Sequence, residues 1–374
     1  MEIILNKEDF SNGIKIVEKI ASQKAIQPIL SNILIETTSN DRIRMCTTDL
    51  TLSINCKTNA QVIEQGAITL TAKKVSEIVS KISSTEITLK TIEDTDNVKI
   101  KSGKTEFDLI GLDANDFPDI LDDLSQVDFQ KIVLDKNEFL KAIKQVIFAV
   151  SQQETQVVLT GVCFTIENNT IEVAATDGNR LTRVRKELSE TFDIPLSFIV
   201  PAKTLQEVQR ISSLVEDENI TLKVHKNKIL FEFENLIFQS KLIEGVYPKY
   251  QQLIPSSNDK KIVVNRAELI NSIDRVSIMV NERTNVIRFD FSQGQLEIMA
   301  DRPDAGRSKD YIDIEYNQED MLTAFNYKYV LDGLKNMDSK NIVIEISDVL
   351  AASIFKPQED DSDYICLIMP VKVQ

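Results

Sequence analysis

The chain has 374 residues, of which 42% are hydrophobic and 27% are charged, a composition typical of a soluble globular protein with two or three domains. No segment approaches the roughly 18 uninterrupted apolar residues of a membrane span, and the opening residues lack the basic and apolar regions of a signal peptide. The net charge of −15, taken alone, argues against a protein that binds nucleic acid.

A sequence pattern repeats three times along the chain, at intervals of about 128 residues. In each repeat an amphipathic first helix is followed by a strand that ends in Thr-Asp or Ala-Asp, and then by a second helix. These strand ends are Thr48-Asp49, Thr176-Asp177 and Ala300-Asp301. The predicted helices span 7–20, 71–82, 136–147, 203–211, 266–276 and 327–337. The repeat is longer than those of common solenoids, so each repeat is interpreted as a whole domain.

Between the helices the hydrophobic period changes to two, which predicts antiparallel hairpins. Residues 98–112 alternate around Ser102-Gly103, residues 220–242 alternate around 225–227, and another turn is predicted at Gln293-Gly294. The predicted fold class is therefore α+β, with three repeated domains that each pack two helices on antiparallel sheets. Linkers rich in Pro, Asp and Ser lie near 118–130 and 253–260. The predicted domains are 1–122, 130–254 and 255–374.

The distribution of charge modifies what the net charge implies. The six predicted helices contain 15 Lys/Arg and 9 Asp/Glu, so the strands and loops are strongly acidic. Basic residues on equivalent helices would line one surface that contacts DNA phosphates without reading sequence. The alternative is that lysine simply favours exposed helix faces. With 6% aromatic residues and no Trp, stacking on single strands is disfavoured and duplex DNA fits better.

Signals for catalysis are weak. His225 is the only histidine and lies in a polar hairpin turn, and the four cysteines form no C-x-x-C pair, which favours reduced thiols and no metal site. The Ser-Gly-Lys-Thr stretch at 102–105 lacks the upstream glycine of a phosphate loop. Asp49, Asp177 and Asp301 are interpreted as turn residues that close a strand. No catalytic residue, metal site or cofactor is predicted.

Five collinear motifs resemble those of the bacterial sliding clamp family, the β subunits of DNA polymerase III. They lie at 25–32 (AIQPILSN), 174–181 (AATDGNRL), 244–250 (EGVYPKY), 325–331 (FNYKYVL) and 368–371 (IMPV). The resemblance covers the whole chain. It implies a head-to-tail homodimer of three-domain subunits that closes a six-domain ring around double-stranded DNA, with the helices lining the hole.

The resemblance also implies what such a ring does. It would be a cytoplasmic DNA-replication processivity factor, a non-catalytic subunit of the DNA polymerase III holoenzyme without a cofactor. An ATP-driven clamp loader would place it on DNA. A hydrophobic pocket would tether the DNA polymerase III alpha subunit, the clamp loader and other clamp-motif proteins through short linear peptides.

Residues at matching positions of this chain carry three expected roles. The DNA-facing residues implied by the resemblance are Lys24, Lys73, Lys74, Lys81, Gln153, Lys203 and Arg210. The implied peptide pocket comprises Leu159, Thr176, Gly178, Asn179, Arg180, Leu181, Pro248, Leu253, Asn326, Tyr329, Leu350, Ala352, Leu367, Met369 and Pro370. The implied dimer interface comprises Lys74, Ile82, Lys104, Phe107, Leu109, Ile278, Met279, Asp304 and Asp310, with Lys74 and Asp304 as a candidate ion pair between subunits.

The chain departs from the family pattern at two places. Val157-Val158 stand where better-known members carry two tyrosines, and Asn179 stands where many relatives have histidine. Two other interpretations remain open at this point. They are a nucleotide- or sugar-processing enzyme built from tandem α+β repeats and a peptide-binding adaptor that never meets DNA. The trimeric clamps of eukaryotes and archaea are a related alternative, but their chains have two domains and this one has three.

Overall fold

A computed structural model describes residues 1–21, 27–92, 95–118, 129–255, 258–359 and 363–372. The described chain is an α+β protein, as the sequence predicts, and divides into two compact units. Unit 1 comprises Met1–Phe139 with Gln206–Leu242, and unit 2 comprises Leu140–Leu205 with Ile243–Gln374. The middle third of the sequence is therefore shared between the two units.

Six α-helices occur in the described residues, at the places where the amphipathic pattern predicts them. They are α1 (Lys7–Val17), α2 (Ala72–Lys81), α3 (Lys136–Val146), α4 (Ala202–Ser212), α5 (Arg266–Val276) and α6 (Tyr327–Lys335). Asparagine side chains cap three of them. Asn6, Asn265 and Asn326 accept hydrogen bonds from backbone N–H groups of the first turn of α1, α5 and α6, which satisfies donors that a helix leaves unpaired. None of the described helices has the length and apolar character needed to cross a membrane.

The strands in the first third of the chain and the linker that follows are β1 (Glu2–Asn6), β2 (Asn32–Ser39), β3 (Arg42–Thr48), β4 (Leu52–Asn59), β5 (Gln61–Glu64), β6 (Ala67–Thr71), β7 (Glu86–Thr91), β8 (Asn97–Ser102), β9 (Thr105–Ile110) and β10 (Gln130–Asp135). The remaining strands are β11 (Gly161–Thr176), β12 (Arg180–Pro201), β13 (Asn219–His225), β14 (Lys228–Phe233), β15 (Leu236–Lys241), β16 (Lys260–Asn265), β17 (Val286–Ser292), β18 (Gln295–Arg302), β19 (Gly306–Glu315), β20 (Met321–Asn326), β21 (Asn341–Ile346), β22 (Ser353–Pro357) and β23 (Asp363–Ile368). The predicted hairpins at Ser102-Gly103, 225–227 and Gln293-Gly294 are confirmed.

These strands form three antiparallel sheets. Unit 1 contains a five-stranded sheet in the order β5-β1-β7-β8-β9 and an eight-stranded sheet in the order β10-β13-β14-β15-β4-β3-β2-β6. Unit 2 contains a ten-stranded sheet in the order β11-β12-β23-β22-β21-β16-β19-β18-β17-β20. The apolar stripe of each first helix packs on these sheets: Phe10 and Val17 of α1 and Leu269 and Ile273 of α5 are fully buried.

Two strand pairs join consecutive repeats into continuous sheets. In unit 1, β15 pairs with β4 from Leu236 opposite Cys56 to Ser240 opposite Leu52. In unit 2, β12 pairs with β23 from Arg180 opposite Ile368 to Arg185 opposite Asp363. Backbone hydrogen bonds therefore connect repeats that the sequence suggests are separate domains. Parts of both predicted linkers, 119–128 and 256–257, lie outside the described residues, and the domain boundaries remain a prediction.

One turn prediction is wrong. The Asp49 and Asp177 carboxylates do close turns, since each accepts backbone N–H groups two and three residues ahead. Asp301 instead lies within β18, opposite Arg307, and its carboxylate pairs with Arg288 at 3.3 Å. In the strand pairing, Ala300 opposite Ser308 corresponds to Thr47 opposite Ile54. The sequence pattern instead matches Ala300 with Thr48, so the third repeat is shifted by one residue from that alignment.

A buried carboxylate ties the segment after β15 to the sheet of unit 2. Glu172 on β11 accepts a 2.5 Å hydrogen bond from the Tyr250 hydroxyl and a 2.7 Å hydrogen bond from Arg185, and Arg183 lies 3.9 Å away. Burial alone would raise the pKa of Glu172, but the hydrogen bonds from Tyr250 and Arg185 and the charge of Arg183 outweigh it, so the pKa is lowered. The ionised carboxylate therefore stabilises the fold.

We expect Glu172→Gln to lower the free energy of unfolding by about 2–3 kcal/mol at pH 7, because it removes a buried, hydrogen-bonded charge. Since the folded pKa lies below the unfolded one, this stabilisation is present above the unfolded value of about 4.3. It is lost as the pH falls through the folded pKa. Urea unfolding of both proteins from pH 7 to about pH 3 checks this: the difference should hold down to the unfolded pKa of about 4.3 and shrink below it.

Glu345→Gln is the matched control, because Glu345 also lies on the sheet of unit 2 and pairs with Lys261 and Lys356 without a tyrosine partner. We expect it to cost less stability than Glu172→Gln. A Glu172→Gln deficit that stays constant across this pH range would contradict the assigned role of the ionised carboxylate.

Candidate functional site

An apolar cluster in unit 2 brings together several of the predicted pocket residues. Leu159, Leu181 and Leu367 are buried in it, and Ala352 packs against it half-buried. The other members of this cluster are Cys163, Ala174, Ile199, Tyr247 and Tyr250, with Val158, Ile243 and Ile254 at its margin. Sequence reasoning missed these others as site residues, although Tyr247 and Tyr250 lie within a quoted motif.

Exposed apolar side chains lie directly beside this cluster in the sequence. Leu253 is 59% exposed, Leu350 is 54% exposed and Met369 is 43% exposed, and each lies within two residues of a cluster member. The Met369 N–H donates to the Asn179 carbonyl at 2.9 Å, which fixes the backbone where β23 ends. Large apolar side chains that stay in water beside a buried cluster are typical of a surface that binds an apolar partner.

A rigid turn at 176–180 holds the polar side of this surface. The Asp177 carboxylate accepts the backbone N–H groups of Asn179 and Arg180 at 2.9 and 3.1 Å. The Thr176 N–H donates to the Tyr247 hydroxyl oxygen at 3.1 Å, which joins the turn to the apolar cluster. Gly178 has φ +89°, a conformation that glycine adopts without strain.

The Arg180 side chain is held by several hydrogen bonds within the protein. Its guanidinium donates to Asp177 at 3.0 Å, to Asp332 at 2.7 Å and to the Phe148 carbonyl at 2.6 Å. It also stacks on the Tyr329 ring, 4.4 Å from the ring centre. Arg180 and Tyr329 therefore support the turn that borders the apolar cluster.

The remaining predicted pocket residues have local structural roles. Asn326 caps α6, accepting the Lys328 N–H at 3.0 Å. The Pro248 carbonyl accepts the Tyr250 N–H at 2.7 Å, and Pro370 follows β23 in a half-buried position. Leu367 is only 2% exposed, so it is a core residue as well as a neighbour of Met369.

Most of the predicted DNA-facing residues in the described part of the chain are exposed, whereas Arg210 is half-buried. Lys73, Lys74 and Lys81 are exposed on α2, and Gln153 and Lys203 are also exposed. Arg210 is half-buried, and its guanidinium donates to the Lys15 and Ile16 carbonyls near the end of α1, both at 2.9 Å. Arg210 therefore holds α4 against α1, and less of it is available to a phosphate. Lys24 lies outside the described residues.

The predicted interface residues lie at two separate places. Phe107 and Leu109 are half-buried on β9, and Lys104 is exposed in the turn before it. Ile278 is 75% exposed, whereas Ile82 is buried within unit 1. Lys74 pairs with Glu77 at 3.2 Å, Asp304 with Arg302 at 3.1 Å and Asp310 with Arg275 at 2.5 Å, and Met279 is half-buried. The candidate Lys74–Asp304 pair would replace or share these contacts.

The described residues contain no group of three or more His, Cys, Asp or Glu that could hold a metal ion. The His225 ring packs edge-on against Phe129, 5.7 Å between centres. All four cysteines are buried and free, and burial raises the pKa of Cys46 to about 12. Burial therefore keeps these thiols protonated and unreactive.

Family models for the three domains of the DNA polymerase III beta subunit match nearly the whole chain. The N-terminal domain matches residues 1–122, the central domain residues 133–249 and the C-terminal domain residues 251–372. Curated beta sliding clamps from Synechocystis and Staphylococcus epidermidis are 31% and 32% identical, and each alignment spans all of this chain and at least 99% of the relative.

Solved structures agree with these matches. A DNA polymerase III beta subunit from Eubacterium rectale superposes with a TM-score of 0.92 at 31% identity, and a sliding clamp from Bartonella birtlesii bound to griselimycin superposes with 0.93 at 30% identity. Both comparisons cover each chain completely. The resemblance identified in the sequence is confirmed: the chain belongs to the DNA polymerase III beta subunit family, the bacterial sliding clamps.

Proposed function

We propose that this chain acts as the replication sliding clamp of its cell, a non-catalytic subunit that keeps the replicative polymerase on duplex DNA. Two copies joined head-to-tail would surround the duplex, and a clamp loader would open and close them. The protein would act in the cytoplasm, where bacterial DNA is replicated. The single observation that carries this proposal is the match of all three repeats to the beta subunit domains in order.

We infer that the apolar cluster of unit 2 and its exposed neighbours bind a short linear peptide of the polymerase alpha subunit, the loader and other partners. The supporting observations are the exposed Leu253, Leu350 and Met369 beside a buried floor, and the fixed turn at 176–180. Burial of each leucine or phenylalanine anchor of the peptide would contribute about 1.5–3 kcal/mol. The Bartonella birtlesii relative is described as bound to griselimycin, which shows that a clamp of this family takes a ligand.

Replacing Leu253 and Met369 together by alanine should weaken peptide binding by more than about 1 kcal/mol, because both side chains contribute apolar area at the surface. Leu367 is avoided, since truncating so buried a leucine would also cost about 2–5 kcal/mol of stability. Fluorescence polarisation of a labelled peptide with adjacent Leu and Phe anchors measures the affinity, and thermal unfolding checks the fold.

Leu214→Ala is the control for this experiment, because Leu214 is an exposed leucine of unit 1, whereas the cluster belongs to unit 2. Its peptide affinity should match the wild type. Unchanged affinity in the Leu253/Met369 variant, with the fold intact, would reject the pocket assignment.

We infer that contact with DNA is made through phosphates, by exposed lysines on the helices. Such contacts carry no sequence information. Protein loaded by a bacterial clamp loader with ATP onto nicked circular plasmid should remain bound through gel filtration. It should be released when the circle is cut once, because only topology holds it. Equal retention on circular and linear DNA would indicate ordinary contact binding and contradict the proposal.

Lys73 and Lys81 offer a direct test of the phosphate contacts. Replacing both by alanine should reduce the dependence of log affinity on log salt concentration by about 2, since each phosphate contact contributes about 0.9. Binding of a short duplex at several salt concentrations measures this slope. Lys131→Ala with Lys241→Ala is the control, because both are exposed lysines on strands, and an equal fall in slope there would place the DNA elsewhere.

A further inference from the structure

Unit 1 contains a turn, at 48–52, that is built like the turn beside the apolar cluster of unit 2. The Asp49 carboxylate accepts the backbone N–H groups two and three residues ahead of it at 2.9 and 2.7 Å, as the Asp177 carboxylate does. The Thr48 hydroxyl accepts the N–H two residues ahead and donates to the carbonyl four residues ahead, as the Thr176 hydroxyl does. The two turns therefore occupy equivalent places in their repeats.

The apolar cluster of unit 1 also corresponds to the cluster of unit 2 and its margin. Each takes two residues from a short 3-10 helix, one from the strand that follows that helix, one from the strand that ends at the Thr-Asp turn, and one from an aromatic-Pro pair. The corresponding pairs are Ile29 with Val158, Leu30 with Leu159, Leu34 with Cys163, Cys46 with Ala174 and Phe117 with Tyr247. The repeated fold therefore builds the floor of the candidate peptide surface twice.

The strand that ends beside each turn carries a different side chain in the two units. The Lys241 N–H donates to the Thr51 carbonyl at 3.1 Å, as the Met369 N–H donates to the Asn179 carbonyl at 2.9 Å. The Lys241 side chain is exposed and stands in the place of Met369. Unit 1 therefore has a cation beside the turn where unit 2 has an apolar side chain.

Leu50 is an exposed apolar side chain held in a backbone conformation that leucine disfavours. Its φ is +72° and it is 50% exposed, whereas Gly178 has φ +89° at the equivalent place. A left-handed leucine is strained, and the turn of unit 2 shows that glycine builds the same hydrogen bonds without that strain. Strained residues concentrate at functional sites. The exposed apolar side chain is therefore what leucine adds to this turn.

We propose that Leu50, the apolar cluster of unit 1 and Lys241 form a second peptide-binding surface, which takes a linear peptide that carries a carboxylate next to an apolar residue. The inference rests on the proposed peptide surface of unit 2, whose architecture it repeats. Leu50 would contact the apolar residue of the peptide, and Lys241 would attract the carboxylate. Because Met369 offers no charge, the two surfaces would select different peptides.

Neighbouring charges determine where the carboxylate of the peptide can lie. Asp113 and Asp116 are exposed on both sides of Ala114 in the sequence, and Ala114 packs against the cluster of unit 1. These acids would repel a carboxylate, so the acidic end of the peptide must lie towards Lys241. They also oppose duplex DNA, whose phosphates would spread over the whole surface. A short peptide with charge at one end fits this arrangement better than a uniformly charged polymer.

Two labelled peptides test the proposal on the full chain. The first has adjacent Leu and Phe residues, and the second has one Leu followed by two Asp residues. Fluorescence polarisation should show that the second peptide still binds the variant with Leu253→Ala and Met369→Ala. In that background, Leu50→Gly and Leu50→Asn should each weaken its binding by at least about five-fold, because the apolar contact is lost. Neither change should lower the Tm, since Gly and Asn both tolerate the left-handed conformation.

Charge reversal at Lys241 tests the other half of the surface. Lys241→Glu should weaken binding of the second peptide by at least about five-fold, because two like charges then meet. A peptide with two Lys residues in place of the Asp residues should bind this variant more tightly than it binds the wild type. Lys131→Glu is the matched control, because Lys131 is an exposed lysine of the same sheet, and it should leave the affinity unchanged.

The outcomes separate this inference from the proposed function. A second peptide that fails to bind the Leu253/Met369 variant, or binds it regardless of Leu50 and Lys241, overturns the surface of unit 1 and leaves that of unit 2. A first peptide that fails to bind the wild type, while the second binds through Leu50, rejects the surface of unit 2 alone. Displacement of the second peptide by a short duplex would assign Lys241 to DNA and overturn the peptide partner.

Discussion

Antiparallel strand pairing between repeats is the interaction on which the rest of the structure depends. A strand edge buried without partners costs several hydrogen bonds, and pairing with a strand of the neighbouring repeat supplies them. Inside the chain this is done by β15 with β4 and by β12 with β23. β9 ends the five-stranded sheet and keeps one edge without a strand partner in the described residues.

The candidate peptide surface is a consequence of one of these junctions. β23 ends beside the turn at 176–180, and Met369 emerges there next to the buried cluster. The junction in unit 1 is also an antiparallel strand pair, but its side chains differ. Gln239 and Lys241 occupy the places that Leu367 and Met369 occupy in unit 2. Unit 1 has its own cluster of Ile29, Leu30, Leu34, Cys46 and Phe117, and its junction carries a polar and a basic side chain at these two places. The repeated fold places a strand end at both junctions, and the local residues decide which repeat presents an exposed apolar side chain there.

Rigid polar contacts hold both kinds of surface in place. Glu172 anchors Tyr250 beneath the cluster, and Arg180 joins the turn at 176–180 to Asp332 and Tyr329. Sequence reasoning assigned Arg180 and Tyr329 to the peptide pocket and did not single out Glu172. Such buried networks leave no periodic signal, because their members come from strands far apart in the chain. Arg210 shows the reverse case: a basic residue on a helix looks available to DNA until its bonds to the end of α1 are seen.

The sequence by itself determined the six helices, the hairpins, the α+β class and the family, because helix and strand periods, polar turns and collinear motifs are local patterns. Tertiary structure alone decided which strands join the repeats, since strand pairing is not local and a one-residue shift, as at Asp301, reverses every face. It also decided that Leu367 is core while Met369 is exposed. Those two residues are similar in hydrophobicity, but Leu367 packs inside the apolar cluster, whereas Met369 follows the end of β23.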